Sequence, residues 1–321
     1  MKKKLLGTGM ALGLSVSMLA GMTVQAADTW TVTCPWAASG VAAMVNQQAA
    51  AMSTDYSEDI ILVADAVAGD AATVNSWIAD NTAGDNSLVF AGEGLFAVTP
   101  LLDAAKLQFT YDDFEYVENL YSSIFVLSAD ASLEINGIED LQAYVESGET
   151  ISVATNGATS SEAFLAAALF GSMGASDQLK LVPYESAAEA AQAVSKGETS
   201  FAVSHQSQIY EAAQQESVTI VCAFDEDALE NGPFAGVEGV GAYGYPYFRN
   251  RCFIMAPAGT DEETVETLRT LYDDILADEE MTSWLQDTMY LEVDPMTEEE
   301  VLEHIDNVSA IVEEYMDIVV G

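Results

Sequence analysis

Hydrophobic residues fall into two rhythms along this chain: short continuous apolar runs, and longer stretches with apolar positions three and four apart. The first is the pattern of buried strands, the second that of helices with one buried face. Residues 30–34 read as a strand. Residues 40–52 read as a helix with Val41, Met44, Val45, Ala49 and Met52 on one face. A strand at 60–63, a helix at 71–80 and the strand SLVFA at 87–91 complete a βαβαβ unit. The rhythm then returns. Strand 124–128 leaves the first unit, followed by helix 138–146, strand 151–154, helix 160–173, strand 179–182, helix 187–196 stopped by Gly197, and strand 201–203. After strand 219–224, the Gly-, Pro- and Tyr-rich stretch 230–247 reads as a loop. Strand 252–256 and helices at 261–277, 279–289 and 298–319 close the chain. This alternation predicts an α/β fold with parallel sheets covered by helices. Two units entered and left by separate strands predict two hinged lobes, 27–124 plus 248–321 and 125–247, with a cleft between them.

The first 26 residues stand apart from this pattern. Lys2, Lys3 and Lys4 precede an apolar stretch at 5–22, and Val24-Gln25-Ala26 forms a small-residue cleavage site. That is the arrangement of a secretory signal peptide, so the expectation is an exported protein in the periplasm or at the extracellular face of the membrane. Glycines and serines dilute the apolar run below what a spanning helix needs. No cysteine ends the leader, and no later segment is apolar for long enough to cross a bilayer.

Charge changes the picture of possible partners. The chain has 9 basic and 52 acidic residues and a formal net charge of −43. Removing the three leader lysines leaves Lys106, Lys180, Lys196, Arg249, Arg251 and Arg269 as the only basic residues. Such a surface repels nucleic acid and anionic lipid. Long-range steering also works against an anionic ligand, so attraction has to come from local dipoles. The three cysteines, Cys34, Cys222 and Cys252, lie in apolar strand-like runs. Export permits a Cys222–Cys252 bridge, and buried thiols are an equal alternative. No Cys/His spacing suggests zinc.

Helix starts are well marked. Thr159-Ser160-Ser161-Glu162, Ser186-Ala187-Ala188-Glu189, Thr260-Asp261-Glu262-Glu263 and Thr297-Glu298-Glu299-Glu300 all fit the capping box. Two strand-to-helix turns carry candidate chemistry. Pro35-Trp36-Ala37-Ala38-Ser39-Gly40 follows the first strand, and Thr155-Asn156-Gly157-Ala158-Thr159-Ser160-Ser161 follows the strand at 151–154. Each leaves unpaired amides at the positive end of a helix, an arrangement that binds carboxylate or phosphate without Lys or Arg. One such loop in each lobe would grip a ligand with acidic groups at both ends. Both loops also fit ordinary strand–helix connections.

The segments VTCPWAASGVAAMVNQQAA, VADAVAGDAAT, LVPYESAAEAAQAVSKGE and NRCFIMAPAGT occur in that order. They resemble the P-F-x-x-G-G opening, the Gly-rich turn, the V-P-Y-x-G segment and the A-P-A-G-T strand end of the tripartite tricarboxylate transporter substrate-binding proteins, the Bug family. The resemblance implies a type II, Venus-flytrap periplasmic-binding-protein fold, each lobe a mostly parallel sheet flanked by helices. It implies capture of a small organic carboxylate and delivery to a permease of one large and one small membrane subunit. Carried over residue by residue, the first ligand loop is Trp36, Ala37, Ala38, Ser39, Gly40 and Val41. The second includes Thr155, Asn156, Ser160 and Ser161. Tyr184 and Ser204 line the second lobe's side, and Ala91 and Gly92 border the first. No cofactor, metal or nucleic acid is implied, and the protein is expected to act as a monomer.

The chain departs from the family pattern at three places. Ser39-Gly40 stands for two glycines, Ala43 for a frequent Asp and Phe164 for a frequent His. Glu162 reads as a helix cap or as a contact to a ligand amine. Arg251 reads as a bidentate contact to an anion or as a surface ion pair. His205 is placed to touch a ligand, whereas His304 sits on a charged helix and reads as solvated. No nucleophile elbow, HExxH or EF-hand loop appears, so no enzyme is expected. Two alternatives share this fold: a binding protein of another transporter class, and a ligand-sensing partner of a membrane receptor.

Overall fold

The computed structural model describes residues 27–321. The predicted leader at 1–26 lies outside the described residues. Two mixed sheets organise the chain. The first has six strands in the order β11-β4-β10-β3-β1-β2. These are β1 (Asp28–Cys34), β2 (Ile60–Ala66), β3 (Ser87–Gly92), β4 (Phe114–Ser123), β10 (Asn250–Pro257) and β11 (Glu292–Val293). The second has five strands in the order β7-β6-β8-β5-β9. They are β5 (Phe125–Asp130), β6 (Ile151–Asn156), β7 (Leu179–Tyr184), β8 (Phe201–His205) and β9 (Val218–Ala223).

Both sheets follow one plan. Helices α1 (Val41–Tyr56) and α2 (Ala71–Asp80) cross over between β1, β2 and β3, which pair in parallel. Helix α5 (Ile138–Glu146) leads into β6. Helices α6 (Ser161–Ser172) and α7 (Ala187–Ser195) then connect the parallel trio β6, β7 and β8. Beside each trio run antiparallel strands: β10 and β4 in the first sheet, β5 and β9 in the second. The sheets are therefore mixed, with four strands of each running one way and only β10, β11 and β5 running the other. The chain passes between them at the junction of β4 and β5, and again on the way from β9 to β10. Two short helices, α3 (Glu93–Ala97) and α4 (Thr99–Asp103), follow β3, and α8 (Gln206–Gln214) follows β8 directly.

Helix α6 shows how composition dictates burial. Its stretch from Ala163 to Phe170 is apolar on every side, so no face suits water. All of those residues are fully buried. The C-terminal part of the chain carries α9 (Glu262–Leu276), α10 (Glu279–Ser283) and the long α11 (Glu298–Val320). Helix α11 leaves the first sheet and packs its apolar stripe, including Val308, Val312 and Tyr315, on α6 and on α3. Gly171 makes that approach possible: a Cβ there would lie 2.8 Å from the Tyr315 ring. One continuous core consequently includes Phe114 and Phe253 of the first sheet, Phe125 and Phe164 of the second, and Val301 and Val312 of α11.

The predicted helix starts hold with two shifts of one residue. Thr297 and Glu300 form the full capping box of α11. Ser186 takes the Glu189 amide. In α6 the cap is Ser160, which accepts from Ala163, rather than Thr159; in α9 it is Asp261, which accepts from Thr264. The three cysteines are buried free thiols, with Cys222 in the second sheet and Cys252 in the first. Among the described residues, no helix is long and apolar enough to cross a membrane.

Candidate functional site

The parallel strands of both sheets run toward a cavity of about 580 Å³ between them. That is where open α/β sheets place ligands, beyond the strands' carboxyl ends. From the first sheet it is lined by Trp36, Ala37, Ser39 and Gly40, by Val41 and Ala42 opening α1, and by Gly92, Glu93 and Gly94 after β3. From the second come Asn156, Thr159, Ser160 and Ser161 at the head of α6, and His205 and Gln208 at the head of α8. Tyr121, Asn250 and Cys252 on the antiparallel strands, together with Asp70, Leu95, Val98 and Thr99, complete the lining.

Of the sequence-predicted residues, the cavity brings together Trp36, Ala37, Ser39, Gly40, Val41, Gly92, Asn156, Ser160 and Ser161. Seven others, Glu162 and Arg251 among them, are not part of its lining. Ala38 is exposed in the first loop. Ala91 is fully buried within β3. Thr155 turns its hydroxyl to the Gly157 carbonyl at 2.9 Å. Tyr184 packs at the edge of the second sheet, and Ser204 is buried in β8. Glu162 is buried in the first turn of α6 and does not reach the cavity either.

Arg251 is the clearest correction. Its guanidinium turns away from the cavity. Nε bonds Asp294 at 2.7 Å, and Nη1 lies 2.9 Å from His304 Nδ1. The expected solvated His304 is in fact buried at 7% exposure, and burial and the Arg251 charge push its pKa down to about 3. Beside it Arg249 grips Asp225 with Nε and Nη2, at 3.1 and 2.6 Å. These groups line a second, larger groove of about 810 Å³ between the segment before β10 and α11. That groove holds Glu226, Glu300 and Glu303 as well, so its two arginines are outnumbered by acids.

Within the cavity the donors come from backbone and neutral side chains. Helix α1 is capped by Gly40, has no acid in its first turn and has no side-chain cap. Among the described residues, the Val41 and Ala42 amides meet no protein acceptor. Ser160 takes one amide of α6 and leaves the one at Ser161. Trp36 forms a wall: its ring lies 3.4 Å from where a Cβ on Gly92 would sit, so glycine is what lets it close down. His205 stacks on Phe125 with centroids 4.1 Å apart, and its Nδ1 lies 2.6 Å from Ser123 Oγ. Burial pushes its pKa down to about 4, so the ring enters as a neutral hydrogen-bonding group. Among the described residues, no lysine or arginine lines the cavity.

Two carboxylates do line it, and neither was singled out from sequence. Glu93 is 1% exposed; it accepts from Asn250 Nδ2 at 2.9 Å and from the Arg251 backbone amide. Burial raises its pKa to about 7, against the lowering effect of those two donors. Asp70 is an exposed residue whose carboxyl is raised by partial desolvation, with the Ala71 amide, the Trp36 indole and the Lys106 charge acting against it. A signal for both existed: each acid directly follows a glycine in a loop the sequence already marked, Gly69-Asp70 and Gly92-Glu93.

Two mixed α/β sheets with a cavity at the strand ends between them define the class of two-lobe solute-binding proteins. The profile of the tripartite tricarboxylate transporter family receptor (TctC) matches residues 44–310. The chain belongs to this family, whose members are receptors rather than enzymes. No curated protein sequence matches it. Solved structures share the fold at low identity. A TctC solute-binding protein from Polaromonas is 15% identical over 89% of this chain and 98% of its own, with a TM-score of 0.76. A protein of R. palustris, solved with adipate, is 18% identical over 91% and 97%, with a TM-score of 0.69. MatC from Rhodopseudomonas palustris, solved with malate, is 19% identical over 91% and 98%, with a TM-score of 0.65.

Proposed function

We propose that this chain is an exported receptor that captures a small organic carboxylate in the cleft between its lobes, 27–124 plus 248–321 and 125–247. It then hands the ligand to the large and small membrane subunits of a tripartite tricarboxylate-type permease. The observation that carries this reading is that the first turns of α1 and α6, from different sheets, line one cavity without a basic side chain. Free amides at helix starts hold an anion there, where the acidic exterior cannot compete for it. Asn156, Ser160, Ser161 and His205 supply further hydrogen bonds, and Trp36 covers the apolar part of the ligand. Low local dielectric strengthens each of these bonds once water is displaced. The adipate and malate of the two R. palustris structures support a carboxylate as the class of ligand.

The test is a thermal-shift screen of the mature protein against mono-, di- and tricarboxylates, amino acids, sugars and metal ions. A ligand present at 100 times its Kd adds about 2.7 kcal/mol to the folded state. For a chain of this size that raises Tm by roughly 5 °C. A carboxylate-bearing compound is expected to give that shift. Stabilisation by a sugar or a metal ion, with none by any carboxylate or amino acid, overturns the reading.

A further inference from the structure

We infer that the cleft selects carboxylates that also carry an ammonium group, with the carboxylate on the first turns of α1 and α6 and the ammonium against Glu93 and Asp70. This rests on the cleft being the ligand site. The cavity's charged lining consists of Asp70 and Glu93, with no lysine or arginine among the described residues. A ligand bearing only carboxylates meets two like charges there and no fixed cation. A zwitterion meets an opposite charge at each end.

Glu93 is the sharper half of the argument. It is 1% exposed, and buried charges are ordinarily paired. Among the described residues, no ion pair includes it. Arg251 gives Glu93 its backbone amide and a charge felt at longer range, while its guanidinium is bonded to Asp294. Each Glu93 oxygen accepts one N–H and retains capacity for another. The cavity therefore borders a buried carboxylate with two neutral donors and no ion-pair partner, and a ligand ammonium supplies the missing partner.

Protonation gives this reading a signed readout. The groups that face Glu93 are Arg251 and Cys252 from β10 and Tyr121 from β4, and Asp70 at the head of α2 shares the cavity and acts on Cys252. His205 shares the cavity from α8, and Cys34 and His304 stand behind Cys252 and Arg251. With its pKa raised to about 7 by burial, Glu93 holds part of a proton near neutral pH in the empty protein. An ammonium beside it drives proton off, whereas a second carboxylate draws proton in.

The experiment is isothermal titration calorimetry of the mature protein at pH 7, in two buffers of different ionisation enthalpy. The probes are two matched pairs, succinate with aspartate and glutarate with glutamate. The aminated member of at least one pair is expected to bind ten-fold or more tighter than its partner, with net proton release. Glu93→Gln is expected to bring the two members of that pair within about three-fold and to abolish the release. Asp70→Asn, on a different element, is expected to shrink the preference as well, with circular dichroism confirming that both variants fold. Equal or tighter binding of the unaminated acids, with proton uptake, overturns the inference and leaves the carboxylate reading intact. A preference that survives unchanged in both variants also overturns it. Failure of all four probes to bind overturns it together with the assignment of the cleft to such acids.

Discussion

Glu93→Gln should make the empty protein more stable at pH 8, because it removes a charge that the folded state holds at a disadvantage. Burial raises the folded carboxyl from 4.5 to about 7. The folded protein therefore binds this proton more tightly than the unfolded chain does. Its stability rises as pH falls from 7 toward 4.5, and the penalty is complete above pH 7. That gap corresponds to about 3 kcal/mol. Glutamine keeps the shape and loses the charge. One of its two former acceptors becomes a donor, however, facing either the Arg251 amide or the Asn250 side chain. A mismatched hydrogen bond of this kind removes about 1 kcal/mol. The net gain at pH 8 is then about 2 kcal/mol, or roughly 4 °C in Tm. The penalty on the wild type fades at lower pH, so the two proteins should have equal stability near pH 5. Urea denaturation of both at pH 8, 7, 6 and 5 measures the difference, in which every other titrating group cancels. A variant no more stable than the wild type at pH 8, or a difference that does not change with pH, refutes the reasoning.

Three further perturbations test other parts of the structure. Gly40→Asp places a favourable cap on α1, which adds about a few tenths of a kcal/mol to the helix while occupying its free amides. Ligand affinity measured by calorimetry should fall at least ten-fold without loss of Tm, and Gly40→Ala controls for the 3.1 Å approach of a Cβ to the Ala37 carbonyl. Gly171→Ala should destabilise by about 1 kcal/mol, despite alanine's better helix propensity, because its Cβ falls 2.8 Å from the Tyr315 ring; a stabilised variant in urea denaturation would contradict this. Asp294→Ala strips the counter-charge from an Arg251 side chain that is 15% exposed. It should cost about 2–3 kcal/mol in the same assay.

The two βαβ trios were legible because their strands are short, largely apolar runs and their helices carry a spaced apolar face or, in α6, an apolar surface all round. What escaped was structure whose sequence is polar and whose partners are distant. Strand β4, FEYVENLYSS, carries Glu118 and Asn119 in its middle, which argues against a central strand. Both are nonetheless buried. Glu118 is satisfied by the Met296 and Asn119 amides, and Asn119 Nδ2 by the Asp294 carbonyl. Those partners come from a segment that folds back from the far end of the chain, and no local pattern announces them. Helix α8 was missed because its low apolar content, in QSQIYEAAQ, leaves only Ile209 and Gln206 buried. The site divided in the same way. The loops with small residues before helices were readable from sequence. Whether a given side chain turns into the cavity or away from it depends on what lies behind the strand. For Arg251 that is Asp294 and His304.

Residues 249–252 gather these threads onto one strand start. Arg249 binds Asp225, which follows β9 of the second sheet. Asn250 and the Arg251 amide hold Glu93 at the cavity, and Cys252 lines it directly. The Arg251 side chain holds Asp294 and His304 on the opposite side. Alternating side chains along a strand point to opposite faces, so consecutive residues here serve the cavity and the outer groove in turn. This explains why two of the few arginines lie beside the cleft without entering it. Their charge neutralises the acids Asp225 and Asp294 where the chain returns to the first sheet, and the cavity is left to neutral donors and two unpaired carboxylates. A cleft arranged in that way depends on its ligand for any positive charge it holds.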